Sequence, residues 1–147
     1  MKKLILMLGL FLGMGPMLNA QEFKVITSVE SVVPLGLGRS RIISHVDKAK
    51  ASDFTTERVD GTDSDQGSVR RKDAKIDRLD ETKLLNFYSG FGINFQNIAS
   101  NDAIISSKLT DMAKEGWELV HVVSGVESDA GETDGNAIFI TRYIFKR

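Results

Sequence analysis

The stretch that decides the fold reads Asn101-Asp102-Ala103-Ile104-Ile105-Ser106-Ser107-Lys108-Leu109-Thr110-Asp111-Met112-Ala113-Lys114-Glu115-Gly116-Trp117-Glu118-Leu119-Val120. Its first part has apolar residues at helical spacing, which predicts an amphipathic helix. The expected inward stripe consists of Ile105, Leu109, Met112 and Ala113. After Trp117 the apolar period changes from 3.6 to 2, which predicts that a strand follows the helix directly.

Both ends of this helix carry termination signals. Ser100, Asn101 and Asp102 each offer a short side-chain oxygen that can accept a hydrogen bond from a free first-turn amide. Gly116 stands where the stripe ends, and glycine enters the left-handed conformation that closes a helix without steric cost. Trp117 should therefore fold back onto the last turn and be buried.

The same residues carry a family resemblance. The run Leu109…Ala113-Lys114-Glu115-Gly116-Trp117-Glu118-Leu119-Val120 resembles the signature of a small bacterial family, the domain of unknown function 4177 family. The Phe23-Lys24-Val25 strand start and the closing Phe145-Lys146-Arg147 agree with it, whereas Ser44–Ile98 has no match. The resemblance implies a compact helix-on-sheet fold, and it brings no known activity or catalytic residues.

Met1–Ala20 is predicted to be a signal peptide. Lys2 and Lys3 give it a basic start, an apolar run follows, and a small residue precedes the expected cut. A retained membrane anchor is the less favoured alternative, because the apolar run is short and is interrupted by glycines and a proline. The remaining domain, 21–147, should be exported to the periplasm or the extracellular space. The chain has no cysteine, which excludes disulfides and a lipid-anchoring cysteine.

The net charge of the predicted exported part does not favour binding to nucleic acid. The chain has 19 basic and 20 acidic side chains, so loss of two lysines leaves 17 against 20. A net charge of 17 − 20 = −3 gives no electrostatic reason to expect nucleic acid or an anionic membrane surface as a partner.

Four segments have strand patterns: Phe23–Val33, Arg39–Val46, Trp117–Val126 and Ala137–Lys146. A type I turn at Val33-Pro34-Leu35-Gly36 should join the first two. We expect a single α+β domain, with an antiparallel sheet of about four to six strands and one main α-helix packed on one face.

The middle of the chain has a weaker pattern. Asp47–Asp73 has few apolar residues and should form a mobile loop, with a few strand residues near Phe54–Val59. Lys83–Tyr88 and Gly92–Ile98 flank a glycine-containing turn and suggest a second hairpin, with a helical turn around Glu81–Phe87 as the alternative.

The sequence predicts no catalytic residues, metal site or cofactor. The only histidines, His45 and His121, lie within predicted strands, and two distant histidines without cysteine fall short of zinc ligation. The acidic loops containing Asp60, Asp63 and Asp65, and Glu127–Asp134, do not match an EF-hand. A solvated loop is the favoured interpretation of both, and calcium binding stays open.

One loop is suited to anion binding. Two glycines allow backbone amides to converge, and two arginines with a serine could bind a carboxylate, phosphate or sulfate. The candidate ligand-binding residues are Gly36, Gly38, Arg39, Ser40 and Arg41. The alternative is a plain hairpin tip whose arginines pair across the sheet with Glu30 or with the acidic loops.

The last strand is apolar on both sides, which predicts a second apolar sheet face. One helix can cover only one face, and sheets with a solvated face usually alternate apolar with polar residues. The two sets are Phe139, Tyr143 and Phe145 against Ile138, Ile140 and Ile144. The first set is the candidate interaction surface. Lys83–Ile98, a second copy of the chain or another envelope protein could provide the cover.

These features favour a non-catalytic binding or assembly module. The alternative is a small periplasmic enzyme or sensor that acts on an anionic ligand at the Gly36–Arg41 loop.

Overall fold

The computed structural model of the chain describes residues 21–32, 40–89, 91–127 and 137–147. Within them the main elements are nine strands and one long helix. The strands are β1 (Phe23–Ser31), β2 (Arg41–His45), β3 (Arg58–Val59), β4 (Asp63–Ser64), β5 (Leu79–Lys83), β6 (Tyr88–Ser89), β7 (Gly92–Ile93), β8 (Glu118–Glu127) and β9 (Ile138–Lys146), and the helix is α1 (Phe95–Lys114). The predicted signal peptide, the turn at Val33–Gly36 and the acidic loop beyond Glu127 lie outside the described residues.

Five strands form one antiparallel sheet in the order β5-β2-β1-β9-β8. The C-terminal strand β9 lies between β1 and β8, so the first and last described strands are neighbours inside the sheet. With α1 on one face, this is the α+β arrangement that the sequence predicts, and the fold class is confirmed.

The helix links the two edges of the sheet, because it follows β5 at one edge and precedes β8 at the other. Four strand spacings of roughly 4.8 Å separate the edges, and twenty helical residues span about 30 Å, so α1 is long enough to cross one face. Beneath it lies the core, formed by Ile26, Ile42, Leu84, Met112, Trp117 and Phe145. We call this side of the sheet the helix face.

The helix begins earlier than the sequence predicts. The cap is Asn94, whose side-chain oxygen accepts hydrogen bonds from the backbone amides of Gln96 and Asn97. The predicted caps Ser100, Asn101 and Asp102 are wrong, because they lie inside the helix. Asn94 precedes the helix and has the extended backbone that a cap needs. Asn101, one of the predicted caps, is instead fully buried within the helix.

The end of the helix agrees with the prediction in most respects. Gly116 has a φ of 85°, and the Trp117 amide donates to the carbonyl of Met112 at 3.0 Å. Trp117 is 7% exposed, which confirms that the ring is buried. Ala113 is exposed, so its place in the inward stripe is wrong. Each residue turns the helix by about 100°, and Ala113 lies that far round from the fully buried Met112.

The chain between β2 and β5 forms an exposed excursion. Its two ends are joined, since the Val46 amide donates to the Arg78 carbonyl at 3.1 Å. The excursion contains short helices at Ala51–Phe54 and Asp65–Ser68, and the hairpin β3–β4. The strand at Arg58–Val59 confirms the few strand residues predicted there. No helix in the part of the chain that the structure describes is long and apolar enough to cross a membrane.

The second predicted hairpin is present only around its turn, and the prediction of a strand over Gly92–Ile98 is wrong from Phe95 onward, because that part begins α1. β6 pairs with β7 through Tyr88 with Ile93 and Ser89 with Gly92. The alternative helical turn around Glu81–Phe87 is wrong, because Leu79–Lys83 is the strand β5 and pairs with β2.

Candidate interaction surface

Two members of the predicted anion-binding loop lie within the described residues, and both have partners in the protein. Ser40 is buried, donates its hydroxyl to Asn86 Oδ1 at 2.8 Å and accepts the Ser31 amide at 2.9 Å. Arg41 Nη1 lies 2.6 Å from Glu81 Oε1 on the neighbouring strand β5. The other members, Gly36, Gly38 and Arg39, lie outside the described residues.

These contacts limit what the loop can do. The Ser40 hydroxyl already uses its proton internally, so it cannot donate that proton to an anion without breaking the bond to Asn86. Arg41 pairs across the sheet, as the plain-hairpin interpretation expects, but with Glu81 instead of Glu30. Anion binding by the whole loop stays a prediction.

A buried asparagine holds the chain between β5 and α1 against the sheet. Asn101 Oδ1 accepts the Leu85 amide at 2.8 Å, and its Nδ2 donates to the Leu85 carbonyl at 2.8 Å. The same Nδ2 donates to Glu30 Oε1 at 2.9 Å. The side chain thus replaces a strand partner for one residue. The sequence offered one signal for it: Asn101 lies four residues before Ile105, in line with the apolar stripe.

The carboxyl group of Glu30 belongs to this network. Burial raises the pKa of Glu30, the hydrogen bond from Asn101 opposes that rise, and the nearby charge of Asp102 adds to it. In the described part of the chain this carboxyl group accepts a hydrogen bond from Asn101, so it contributes to packing and to pH dependence.

The two histidines do not share a site. His45 ends β2, where its Nδ1 lies 3.1 Å from the Asp47 carbonyl oxygen, and His121 lies on β8. Strands β1 and β9 separate them, which places the two strands about 14 Å apart. The described residues contain no group of three or more His, Cys, Asp or Glu side chains arranged to hold a metal ion.

The acidic triplet of the excursion builds a turn. Asp60 and Gly61 have φ values of 55° and 66°, the left-handed pair typical of a type I′ hairpin turn. Asp63 and Asp65 follow in β4 and in the short helix, and all three carboxylates are exposed. The Asp60-Gly61 dipeptide is the sequence signal for this hairpin. It is easily overlooked, because the segment around it has the composition of a solvated loop.

The predicted interaction surface lies on the helix face. Phe145 is 1% exposed and belongs to the core, and Tyr143 packs against that core. Phe139 is more exposed and its ring meets Phe87 edge-on at 5.7 Å between centroids. In the folded chain Phe145 is therefore not accessible to a partner. The reason is that β9 places this set beside Ile26, on the side that α1 crosses.

The other set of β9 residues lies on the opposite side of the sheet. The register places Ile144 beside Val25 and Ile140 beside Val29, while Thr27 lies between Ile43 and Arg142. Arg142 in turn lies beside Val123 of β8. We call this side the open face, and its apolar residues on β1, β2, β8 and β9 are Phe23, Val25, Val29, Ile43, Val123, Ile138, Ile140 and Ile144.

The open face has the character of an interaction surface. None of its apolar residues belongs to the core formed with α1. Phe23, Val25 and Val123 are 57%, 37% and 46% exposed, and the others are half-buried between their neighbours in the sheet. Ion pairs stand at two corners, Arg41 with Glu81 and Lys146 with Glu118. Thr27 and the exposed Arg142 lie among the apolar residues near the middle of the face. An exposed apolar surface with polar neighbours is typical of a site where another macromolecule binds.

The edge strand β8 extends this surface. Its five large apolar residues point to both sides of the sheet and are all between 39% and 57% exposed. They are Leu119, Val120, Val122, Val123 and Val126. α1 ends beside the start of β8 and leaves the helix-face valines of this strand uncovered.

Comparisons with protein-family models, with curated proteins and with solved structures each found no match to this chain. The resemblance of the Lys114–Leu119 run to the domain of unknown function 4177 family therefore stays a prediction.

Proposed function

We propose that this protein is a non-catalytic binding or assembly module whose working surface is the open face of its sheet. The observation that carries the proposal is the row of apolar side chains on β1, β2, β9 and β8 opposite α1. Binding through a flat apolar surface requires neither an acid–base pair nor a cofactor. A partner that covers the face would remove its apolar area from water, which is the main source of affinity in such contacts.

The competing proposal is an enzyme or sensor for an anionic ligand at the Gly36–Arg41 loop. It is the weaker of the two, because the Ser40 hydroxyl and the Arg41 guanidinium already bond to Asn86 and Glu81. The two proposals predict different losses. Replacement of Val25 or Ile144 should abolish partner binding, whereas replacement of Arg39 should matter only to an anion site.

We further propose that the module works after export, with cleavage following Ala20. The basic start, the apolar run and the small residue before the cut support this. N-terminal sequencing of the protein from its own cells should begin at Gln21. Soluble protein in the cytoplasm that keeps Met1 would contradict export.

Site-specific photocross-linking in living cells tests the working surface. A photoreactive amino acid replaces Val25 or Ile144 on the open face, and a matched variant carries it at Ser107, an exposed position on α1. We expect discrete adducts from the two open-face positions and only diffuse background from Ser107. If all three positions give the same background, no partner covers the face and the proposal is wrong.

A further inference from the structure

The sheet has two edges, and they are built in opposite ways. β5 has five residues and carries Asp80, Glu81 and Lys83, which protect an edge from pairing with another chain. β8 has ten residues, and its ionisable side chains are His121 and the two terminal glutamates, Glu118 and Glu127. Among the described residues, β9 is the only strand that pairs with β8, so its outer row of backbone N–H and C=O groups has no strand beside it.

Exposed apolar side chains make this edge costly to leave in water. Val122 and Val126 on the helix face are 48% and 57% exposed, and Val123 on the open face is 46% exposed. A long apolar edge strand is a template for strand addition. Proteins that keep such an edge usually cover it with a helix or loop, or pair it with another strand.

We infer that two copies of this chain pair antiparallel through β8, which joins the two sheets into one of ten strands. The inference goes beyond the proposed function, because pairing through β8 leaves the open face free to bind a partner. A second copy fits because an antiparallel pair of identical strands closes around a two-fold axis and leaves no free β8 edge. Pairing of β8 with β5 of another copy would instead bring charged residues against valines and leave an edge open.

The sequence of β8 favours one register. The only irregularity of β8 is a bulge at Val120, where the pairing with β9 shifts between Leu119 and His121, so the regular part of the strand is 121–127. The midpoint of this part is Ser124. With Ser124 on the two-fold axis, residue i of one copy lies opposite residue 248 − i of the other.

This register is self-complementary in both polarity and face. Val122 lies opposite Val126 of the second copy, and both are on the helix face. His121 lies opposite Glu127 of the second copy, which sets an acidic residue against a histidine and keeps like charges apart. Val123 lies opposite Gly125. Cross-strand pairs of this kind are the unit of sheet stabilisation.

The first experiment measures self-association of the protein. The sample is expressed from the full chain and purified in the form that the cells produce. Sedimentation at several concentrations should show a reversible dimer. Val122→Lys and Val126→Lys should each raise the dimer dissociation constant at least about tenfold, because each places a charge in the apolar seam twice per dimer. Leu79→Lys is the matched control: it adds the same charge to β5, where Leu79 is 42% exposed, and should leave the dimer unchanged.

The second experiment tests the register. The chain has no cysteine, so a single Ser124→Cys provides the only thiol. Residues that face each other across an antiparallel pair lie about 4.5–5.5 Å apart at Cα, within the range of a disulfide. Mild oxidation should therefore convert Ser124→Cys rapidly into a disulfide-linked dimer. Thr110→Cys, exposed on α1, should cross-link slowly if at all.

The outcomes separate the inference from the proposed function. A wild-type monomer at every concentration, or a Ser124→Cys variant that cross-links no faster than Thr110→Cys, overturns the pairing through β8. A dimer that Leu79→Lys weakens and Val122→Lys does not overturns it as well. In each of these cases adducts from Val25 and Ile144 in cells would still support a binding module with another partner. The emission of Trp117 in each variant shows whether the chain is folded.

Discussion

The guanidinium carbon of Arg147 lies 4.4 Å from the centroid of the Trp117 ring, so the last residue of the chain covers the residue that follows the helix. Lys24 Nζ lies near the same ring at 5.8 Å. Arg147 is itself held by Glu22, through a backbone bond of 2.9 Å and an ion pair of 2.8 Å. The hydrogen bond from Arg147 lowers the pKa of Glu22, and Lys48 lowers it further. The start and the end of the sheet thus close over one aromatic anchor.

Trp117→Ala should lower the free energy of unfolding by about 3–5 kcal/mol, because it leaves a cavity in the core that also contains Met112 and Phe145. Arg147→Ala should cost much less, about 0.5–1 kcal/mol for a cation near an aromatic ring at a partly exposed site. Urea unfolding followed by circular dichroism measures both, since it does not depend on the tryptophan. A Trp117→Ala variant as stable as Arg147→Ala would contradict the role of the ring as a core anchor.

Alanine replacement of two buried serines, Ser28 and Ser40, should change the free energy of unfolding in opposite directions. The Ser28 hydroxyl lies under α1 and has no hydrogen-bond partner among the described residues, whereas Ser40 Oγ bonds to Ser31 and Asn86. Ser28→Ala should leave the free energy of unfolding unchanged or raise it, because it removes an unsatisfied buried group. Ser40→Ala should lower it by about 1–3 kcal/mol, since the Ser31 amide and the Asn86 oxygen lose their partner.

Thermal or urea unfolding of the two variants provides the comparison, and each serves as the control for the other. Equal losses of stability would show that size at these positions matters and hydrogen bonding does not. A loss confined to Ser28→Ala would contradict the contacts described for both residues.

The sequence predicted the parts of the fold that depend on local pattern. The helix, its glycine end at Gly116 and the buried Trp117 all follow from residues close together in the chain. The four strands of the main pattern follow from alternation. The sequence does not predict β5, because Leu79-Asp80-Glu81-Thr82-Lys83 has the composition of an exposed loop, and only its pairing with β2 makes it a strand.

The sequence does not predict which face of the sheet packs against the helix. β9 has apolar residues on both sides, so either set could have met the helix. The choice depends on the register between β1 and β9, which places Tyr143 beside Ile26 and so under α1. It also depends on the path of α1 from one edge to the other, which is a property of the strand order.

The sequence does not predict the early start of the helix, for a related reason. Phe95 is exposed and outside the apolar stripe, so the first turns have no amphipathic signal. The fully buried polar residue in that region, Asn101, has the sequence pattern of a cap, which is the usual place for asparagine at a helix start. Its hydrogen bonds to Leu85 and Glu30 depend on residues far away in the sequence.

Glu30→Gln should stabilise the protein at neutral pH and lose its effect in acid. Burial raises the pKa of Glu30, so the carboxyl group binds a proton more readily in the folded chain than in the unfolded chain. The cost of the charged form is present in full above the raised pKa and falls away as the pH drops toward 4.5 and below. Glutamine is neutral at every pH, and its oxygen can still accept the bond from Asn101.

Urea midpoints at pH 7 and at pH 4 measure this difference, with Glu81→Gln as the control. Glu81 is exposed and paired with Arg41, so its replacement should leave the midpoint at pH 7 nearly unchanged or lower it slightly. A Glu30→Gln variant that is less stable than the parent at pH 7 would show that the charged carboxylate is stabilising.

The excursion between Asp47 and Arg78 should be separable from the core. The buried residues of the described chain include none between Ser44 and Leu84, and the ends of the excursion are joined by the Asp47–Arg78 pair. Arg78 Nε and its backbone amide both donate to the Asp47 carboxylate, at 2.8 and 2.9 Å. The hydrogen bond from the Arg78 side chain lowers the pKa of Asp47. The Asp47–Arg78 pair therefore stabilises the folded state at pH values above the ordinary aspartate pKa. This stabilisation is lost as the pH falls and Asp47 becomes protonated.

Brief trypsin treatment should first cut the folded chain at Arg70-Arg71-Lys72, because these residues lie in an exposed segment with little regular structure. Replacement of 49–76 by a short glycine–serine linker should leave the free energy of unfolding unchanged or raise it by about 1 kcal/mol, since a shorter loop costs less entropy to close.

Asp47→Ala removes the pair with Arg78 that joins the two ends of the excursion, so it should speed the first cut. Mass spectrometry of the fragments identifies the sites, and first cuts within Asn101–Val126 would show that the excursion is not the weakest part of the fold.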